Sequence, residues 1–218
     1  MALEKAALAI DILRFWSLLI GVNPEMSSIA LPMRVTTGHM KSFQFAEGFG
    51  WQHNSQAYIT LPYDLDEVRY QRLTMLPEFK RVQSISNQPD PNQVEQKFLL
   101  GIQQYAEACQ LPSPTLKLVW FLSALETVIA KETEGDRHKK VERRIRAMIG
   151  DRAGNLVIPL YEKRRKPVHY GLRNRIGDEL VTDADVQTAR TLAYLGIVSA
   201  LKHSDKSTNH DGLIDALD

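Results

Sequence analysis

Apolar residues recur along this chain at two spacings, and the change between them divides it. Leu3, Ala6, Ala7, Ile10, Leu13 and Leu18 follow a helical period, with Phe15 and Trp16 widening the apolar face, so a first helix is predicted over Leu3–Ile20. Gly21 and Pro24 end it. The runs Ile29–Val35, Ser42–Phe45 and Ala57–Leu61 are short and aromatic or β-branched, and glycines and Asn54 separate them. They predict a small antiparallel β-insert. Asp64 or Asp66 is placed to cap a helix running towards Leu76, with Val68 and Leu73 inward and Pro77 breaking it. Ser84–Asn92, with Pro89 and Pro91, reads as a linker.

From Gln93 onward the period is helical throughout. Phe98, Ile102, Tyr105 and Cys109 share one face, and Ser113-Pro114 opens a second helix with the stripe Leu118, Leu122, Leu125 and Ile129. Asp136 is placed to cap a basic helix ending at Gly150, with Val141, Ile145 and Met148 inward. Another helix is predicted from Asn155, and Pro167 should end or kink it. Thr182 or Asp183 starts a long helix carrying Val186, Ala189, Ala193, Ile197 and Ala200. A polar tail, Ser204–Asp211, leads to an amphipathic end with Leu213, Ile214 and Leu217. The pattern predicts a mainly α protein in two regions. Residues 1–91 hold the first helix and the β-rich part, and residues 92–218 hold a helical domain.

Composition changes this picture little, and charge changes it more. The 218 residues are 44% hydrophobic and 24% charged, ordinary for a globular chain. The single cysteine, Cys109, excludes an internal disulfide and fits a reducing cytosol. No run reaches the ~18 apolar residues of a spanning helix, and the N-terminal apolar segment carries Glu4, Lys5, Asp11 and Arg14, so no membrane partner is expected. Between Arg137 and Arg175 stand thirteen Lys or Arg against three acids, a net +10 in a chain of net +1. A basic third in an acidic frame suits an anionic polymer or a phosphate, although a charge run is also how a solvated helix face is written.

Within that third, Leu160–Gly171 reads LYEKRRKPVHYG and sets Arg164 five positions before His169. His exchanges protons near neutral pH, and neighbouring cations disfavour imidazolium. Arg offers a fixed fork of donors that suits phosphate oxygens. Together they are a candidate for binding a phosphodiester and moving a proton beside it. The competing reading is a basic turn with an incidental His. On an unbroken helix five residues turn about 500°, so the two side chains sit roughly 140° apart. One ligand meets both only if the backbone turns at Pro167 or a second subunit completes the site. Glu126, at the edge of an apolar helix stripe, is a second candidate, because a carboxylate there calls for a cation such as Arg164. The alternative is an edge residue that reaches solvent.

The remaining candidates are weaker. His39, His53, His138, His203 and His210 show no zinc-protease spacing, and no metal or cofactor is expected. The grouping of His203, Asp205, His210 and Asp211 reads as a solvated tail. Cys109 reads as a structural thiol, and Tyr170 as a base-stacking ring or an anchor for the turn.

LYEKRRKPVHYG resembles the R-x4-6-H motif of HEPN domains, most closely the Apea-like HEPN branch. The segment KFLLGIQQYAEACQLPSPTLKLVWFLSALETVIA is similar to that branch's helix pair with its Ala-Leu-Glu signature, and EKAALAIDILRFWSLL to a helix often found upstream. The resemblance is clearest over about Gln93–Ala200. It implies a HEPN-like helical bundle that forms a homodimer, often a metal-independent endoribonuclease of defence, toxin or RNA-processing systems in the cytoplasm. It implies catalytic Arg164 and His169, with Glu126 a supporting acid. Arg165, Lys166, Tyr170, Arg173 and Arg144 would then meet RNA. Two positions depart from the pattern. Arg165 stands where active members commonly carry a small polar or amide residue, and Tyr170 separates His169 from Gly171. The alternative function is a non-catalytic HEPN dimerisation module that binds RNA or a nucleotide, and a third reading is a basic surface for an acidic partner.

Overall fold

The computed structural model describes residues 2–16, 44–46, 50–52, 67–170, 181–204, 207 and 209–218. The chain divides into two compact units, Met1–Leu73 and Thr74–Asp218. In the first unit, helix α1 (Ala2–Trp16) buries Ile12, Phe15 and Trp16, the last two rings meeting edge-on at 5.6 Å. Asp11 and Arg14 are also buried, and their 3.4 Å ion pair offsets the loss of water by each charge. Two three-residue strands, β1 (Gln44–Ala46) and β2 (Gly50–Gln52), pair antiparallel with Gln44 opposite Gln52. The strands expected at 29–35 and 57–61, and the caps expected at 64 or 66, lie outside the described residues.

Helix α2 (Glu67–Met75) buries Leu73 but exposes Val68, against expectation. Five residues separate the two, which puts them about 140° apart, so one helix face cannot hold both. Pro77 ends α2 as expected and also opens α3 (Pro77–Asn87), which the sequence reading missed. Leu76 is extended, and Pro sits at the first helical position, where its missing N–H has no partner to lose. Phe79, Val82 and Ile85 form the buried stripe of α3. The linker predicted at 84–92 therefore shrinks to a short connection after Asn87, and α3 packs on α4 within the second unit.

Helix α4 (Gln93–Ala108) starts with a capping box in which Asn92 Oδ1 accepts from Glu95 N at 3.0 Å and Glu95 Oε2 from Asn92 N at 2.8 Å. Helix α5 (Pro114–Ile129) is the centre of the unit, with Leu118, Phe121, Leu122, Leu125, Val128 and Ile129 all buried. It packs chiefly against α4 and α8 (Asp183–His203). Small residues make the approaches close. A Cβ on Gly101 of α4 would stand 2.6 Å from Val128 Cγ2, and one on Gly196 of α8 would stand 2.9 Å from Ile145 Cδ1.

Helix α6 (Arg137–Ile149) packs on α7 (Asp151–Tyr170). Gly150, at φ 117°, makes the whole junction, so α7 begins four residues before the expected Asn155. Asp136 holds the N-cap position of α6 in a left-handed conformation, φ 49°, but its side chain makes no capping hydrogen bond. Helix α9 (His210–Leu217) closes the unit against α4, α6 and α8. Thr182 caps α8 through a capping box with Asp185. No helix among the described residues is long and apolar enough to cross a membrane.

Candidate functional site

The last turn of α5 brings Glu126 to the α6–α7 pair. The stripe Leu122, Leu125 and Ile129 turns into the core, which leaves Glu126 at its rim with a side chain 11% exposed. Arg164 of α7 places Nη1 2.9 Å from Glu126 Oε2, while its own side chain is 22% exposed. The pairing expected between these residues is thus formed. Its position at the edge of the helical core also agrees with the stripe from which it was read.

Tyr161, one turn earlier on α7, joins the same cluster. The Arg164 guanidinium carbon lies 5.5 Å from the centre of the Tyr161 ring, close enough for a cation–π contact. The ring of His138, from the first turn of α6, is 6.2 Å away. The Tyr161 hydroxyl is sealed from solvent. Burial first, and the Glu126 charge second, push the phenol well above its ordinary value, while Arg164 and Arg137 pull it the other way. Arg137 and His138 reach the cluster because the α5–α6 turn holds them there. Arg137 donates from Nη2 to the Glu132 carbonyl at 2.5 Å. Glu134 in turn accepts from Lys131 N at 3.2 Å.

The sequence reading missed Tyr161, Arg137 and His138 as site residues. The signal for Tyr161 was its i,i+3 relation to Arg164, which puts both on one helix face. Arg137 and His138 had no local signal, because the turn that returns them to α7 lies between two helices.

Arg144 was expected to meet RNA, and the structure corrects this. Arg144 is fully buried. All five of its guanidinium N–H groups have acceptors within the protein. Nη1 donates to Ile129 O at 2.9 Å and Glu134 Oε2 at 2.8 Å, and Nη2 to Glu134 Oε1 at 2.6 Å and Asp218 Oδ2 at 2.9 Å. Nε donates to Asp218 Oδ1 at 2.8 Å. Burial pushes the Glu134 carboxyl up, but hydrogen bonds from Arg144 and Lys140 outweigh it and hold the group at about 2. Hydrogen bonds from Arg144 and Arg143 likewise hold Asp218 at about 2, against burial. Arg144 staples α6 to the end of α5, the following turn and Asp218, the residue just past α9.

Much of the charge of the basic third is neutralised in the same manner. Arg143 pairs with Asp218 at 2.5 Å, Lys140 with Glu134 at 3.2 Å, and Lys163 with Asp185 at 2.8 Å. Arg146 binds both Glu142 and Asp151. Acids from outside the basic segment fold onto it, which the local count of +10 does not anticipate. Arg165 is exposed and has no partner among the described residues.

Helix α7 continues through Pro167 to Tyr170, so the expected break before His169 does not occur. The missing N–H of Pro167 removes one helical bond, to the Lys163 carbonyl, and the helix runs on past it. The α7 backbone therefore carries Arg164 and His169 on one helix, about 140° apart around its axis. The side chains of Lys166, His169 and Tyr170, and all of Arg173, lie outside the described residues.

The grouping expected near His203 and His210 is not a solvated tail throughout. His210 is buried, with Nε2 2.9 Å from Val128 O. Comparison with family models, curated proteins and solved structures returns no match to this chain.

Proposed function

We propose that this chain is a metal-independent endoribonuclease of HEPN type that works as a homodimer in the cytoplasm. The observation that carries the reading is the Arg164–Glu126 ion pair on the helix that also holds His169. Glu126 orients the guanidinium of Arg164, whose side chain is 22% exposed and whose fork matches a phosphate. Because α7 is unbroken, Arg164 and His169 of one copy diverge around its axis. A C2 dimer that brings two α7 helices together supplies each Arg with a His from the partner. Leu156 of α7 and Leu195 of α8, 42% and 38% exposed, line a common groove and give that face apolar area for a second copy.

In the reaction the 2′-hydroxyl of RNA attacks the adjacent phosphorus. His169 of the partner copy, as general base, takes the hydroxyl proton, and the departing 5′-oxygen takes one from water. Arg164 stabilises the charge on the phosphorane. The products are a 2′,3′-cyclic phosphate and a 5′-hydroxyl. A role in defence or toxin systems follows from the family resemblance.

The test is cleavage of single-stranded RNA in EDTA by purified protein, with analysis of the new ends. The His169→Ala variant should lose about 10²–10⁴-fold in rate and little RNA affinity. DNA of the same sequence should be spared, since it lacks the nucleophile. Cleavage only with added divalent metal, or a His169→Ala variant as fast as the parent, refutes this mechanism. The second reading, a sensing module that binds RNA or a nucleotide without cutting it, is favoured by Arg165 beside the motif arginine. It takes over if the dimer binds RNA and cleaves none.

A further inference from the structure

His138 is the half-buried histidine of the candidate site, and it has no part in the mechanism proposed above. Its ring lies against Tyr161, with centroids 6.2 Å apart and planes tilted by 39°. The same Tyr161 ring carries Arg164, whose guanidinium carbon is 5.5 Å from its centre. Arg164 Nη1 is in turn 2.9 Å from Glu126 Oε2. One aromatic ring therefore seats both an imidazole from α6 and the arginine from α7. Among the described residues His138 makes no hydrogen bond and no ion pair, unlike the buried His210, whose Nε2 is 2.9 Å from Val128 O. The His138 ring nitrogens are thus uncommitted among those residues, beside the motif arginine.

The other groups around that ring are not free to carry a proton. A guanidinium keeps its charge at any ordinary pH. The Glu126 carboxylate is committed to Arg164. Burial first, and the Glu126 charge second, push the sealed Tyr161 hydroxyl well above its ordinary value, so it keeps its proton. His138 is left, and imidazole is the side chain that takes up and releases protons near neutral pH. The proposed reaction needs such a group. As the 2′-oxygen bonds to phosphorus, the bond from phosphorus to the 5′-oxygen breaks, and its electron pair stays on that oxygen. An alkoxide leaves slowly unless a proton reaches it in the transition state.

We propose that His138 is the general acid of this site, passing a proton through one water to the 5′-oxygen as it departs from the phosphorus beside Arg164. The inference rests on the nuclease reading above. The His138 imidazolium is left neutral and takes a new proton from solvent, while the base gives up to solvent the proton it took from the 2′-hydroxyl. An in-line displacement sets the attacking and leaving oxygens on opposite sides of phosphorus. His138 serves the Arg164 of its own copy, whereas the base, His169, comes from the partner, so the two proton carriers reach the phosphate from different copies.

Sulfur in place of the leaving oxygen tests this directly. A thiolate departs without a proton, because thiols are far more acidic than alcohols. An RNA linkage that the parent cuts in EDTA is made in two forms, with oxygen or with sulfur at the bridging 5′ position. His138→Gln should slow cleavage of the oxygen form about 10²–10⁴-fold and leave the sulfur form at the parent rate. His203→Gln, at an exposed histidine in the last turn of α8, should match the parent on both. Equal slowing of both forms would mean that His138 only supports the Tyr161 ring, and would overturn the proposal. A His138→Gln variant as fast as the parent on the oxygen form would also overturn it, while the nuclease reading stood. A parent that cleaves no RNA refutes the nuclease reading and the general acid with it.

Discussion

Replacing Arg144 by Ala should be among the most damaging single changes in the second unit. The substitution removes five donor contacts at once. It leaves the Glu134 carboxylate, whose side chain is 2% exposed, with only Lys140 and a backbone N–H. Breaking a buried pair from one side costs about 3–5 kcal/mol. The acid side of the pair points the same way: hydrogen bonds from Arg144 and Lys140 hold Glu134 at about 2 against burial, and Arg144→Ala removes the first of them. Urea unfolding followed by circular dichroism measures the effect, with the midpoint falling and the slope unchanged.

The pH dependence adds a sign. A carboxyl with a depressed folded pKa stabilises fully above its unfolded value and loses that contribution as pH falls. The parent should therefore lose stability between about pH 4.5 and 2, through Glu134 and Asp218. Arg144→Ala should flatten that slope. A loss below about 1 kcal/mol, the range of an exposed pair, would refute the assignment of Arg144 to a buried staple.

Other expectations follow from single contacts. Burial lowers the His210 pKa, outweighing its hydrogen bond to Val128 O and the nearby Asp211 and Glu132, with Lys97 acting in the same direction as burial. The unfolded chain then binds the proton more readily, so stability should drop as pH falls through about 6.5, and a His210→Gln variant should lack that slope in pH-dependent unfolding. Glu126→Ala should cost about 1–3 kcal/mol in the same assay, between the values for exposed and buried pairs. No change at all would mean the ion pair with Arg164 is not held in solution. Arg165→Ala should leave stability within about 0.5 kcal/mol and reduce the salt slope of RNA binding by about 1. An unchanged slope would remove Arg165 from the RNA contacts.

Local pattern was enough for most of the helices. The stripes of α4, α5 and α8 were legible because each lies within one element and its period needs no partner to be read. Thr182 and Asp185 likewise carry their capping box in four consecutive positions. What was hidden depends on partners far apart in sequence. Arg144 reads as one more cation of a basic run, and only the return of α9 brings Asp218 to it across the fold. His210 reads as tail until its ring is seen against Val128 O. Pro77 and Pro167 show a different limit. The same residue can break a helix, open one or sit within one, and neighbouring elements decide which. At the candidate site the Glu126–Arg164 pair was legible, since a carboxylate on an apolar rim calls for a cation. Tyr161, Arg137 and His138 required the α6–α7 packing.

In the proposed function, Arg164 and His169 of two copies complete one another's RNA-cleaving site. Mixing two crippled variants tests it most directly. Arg164→Ala and His169→Ala proteins, each nearly inactive alone, are combined, allowed to exchange subunits, and assayed on RNA in EDTA. Random pairing makes half the dimers mixed, and each mixed dimer holds one intact Arg164/His169 pair in trans, so about one quarter of the parent rate should return. A mixture no faster than its two components, with subunit exchange verified and the parent active, would contradict the shared site.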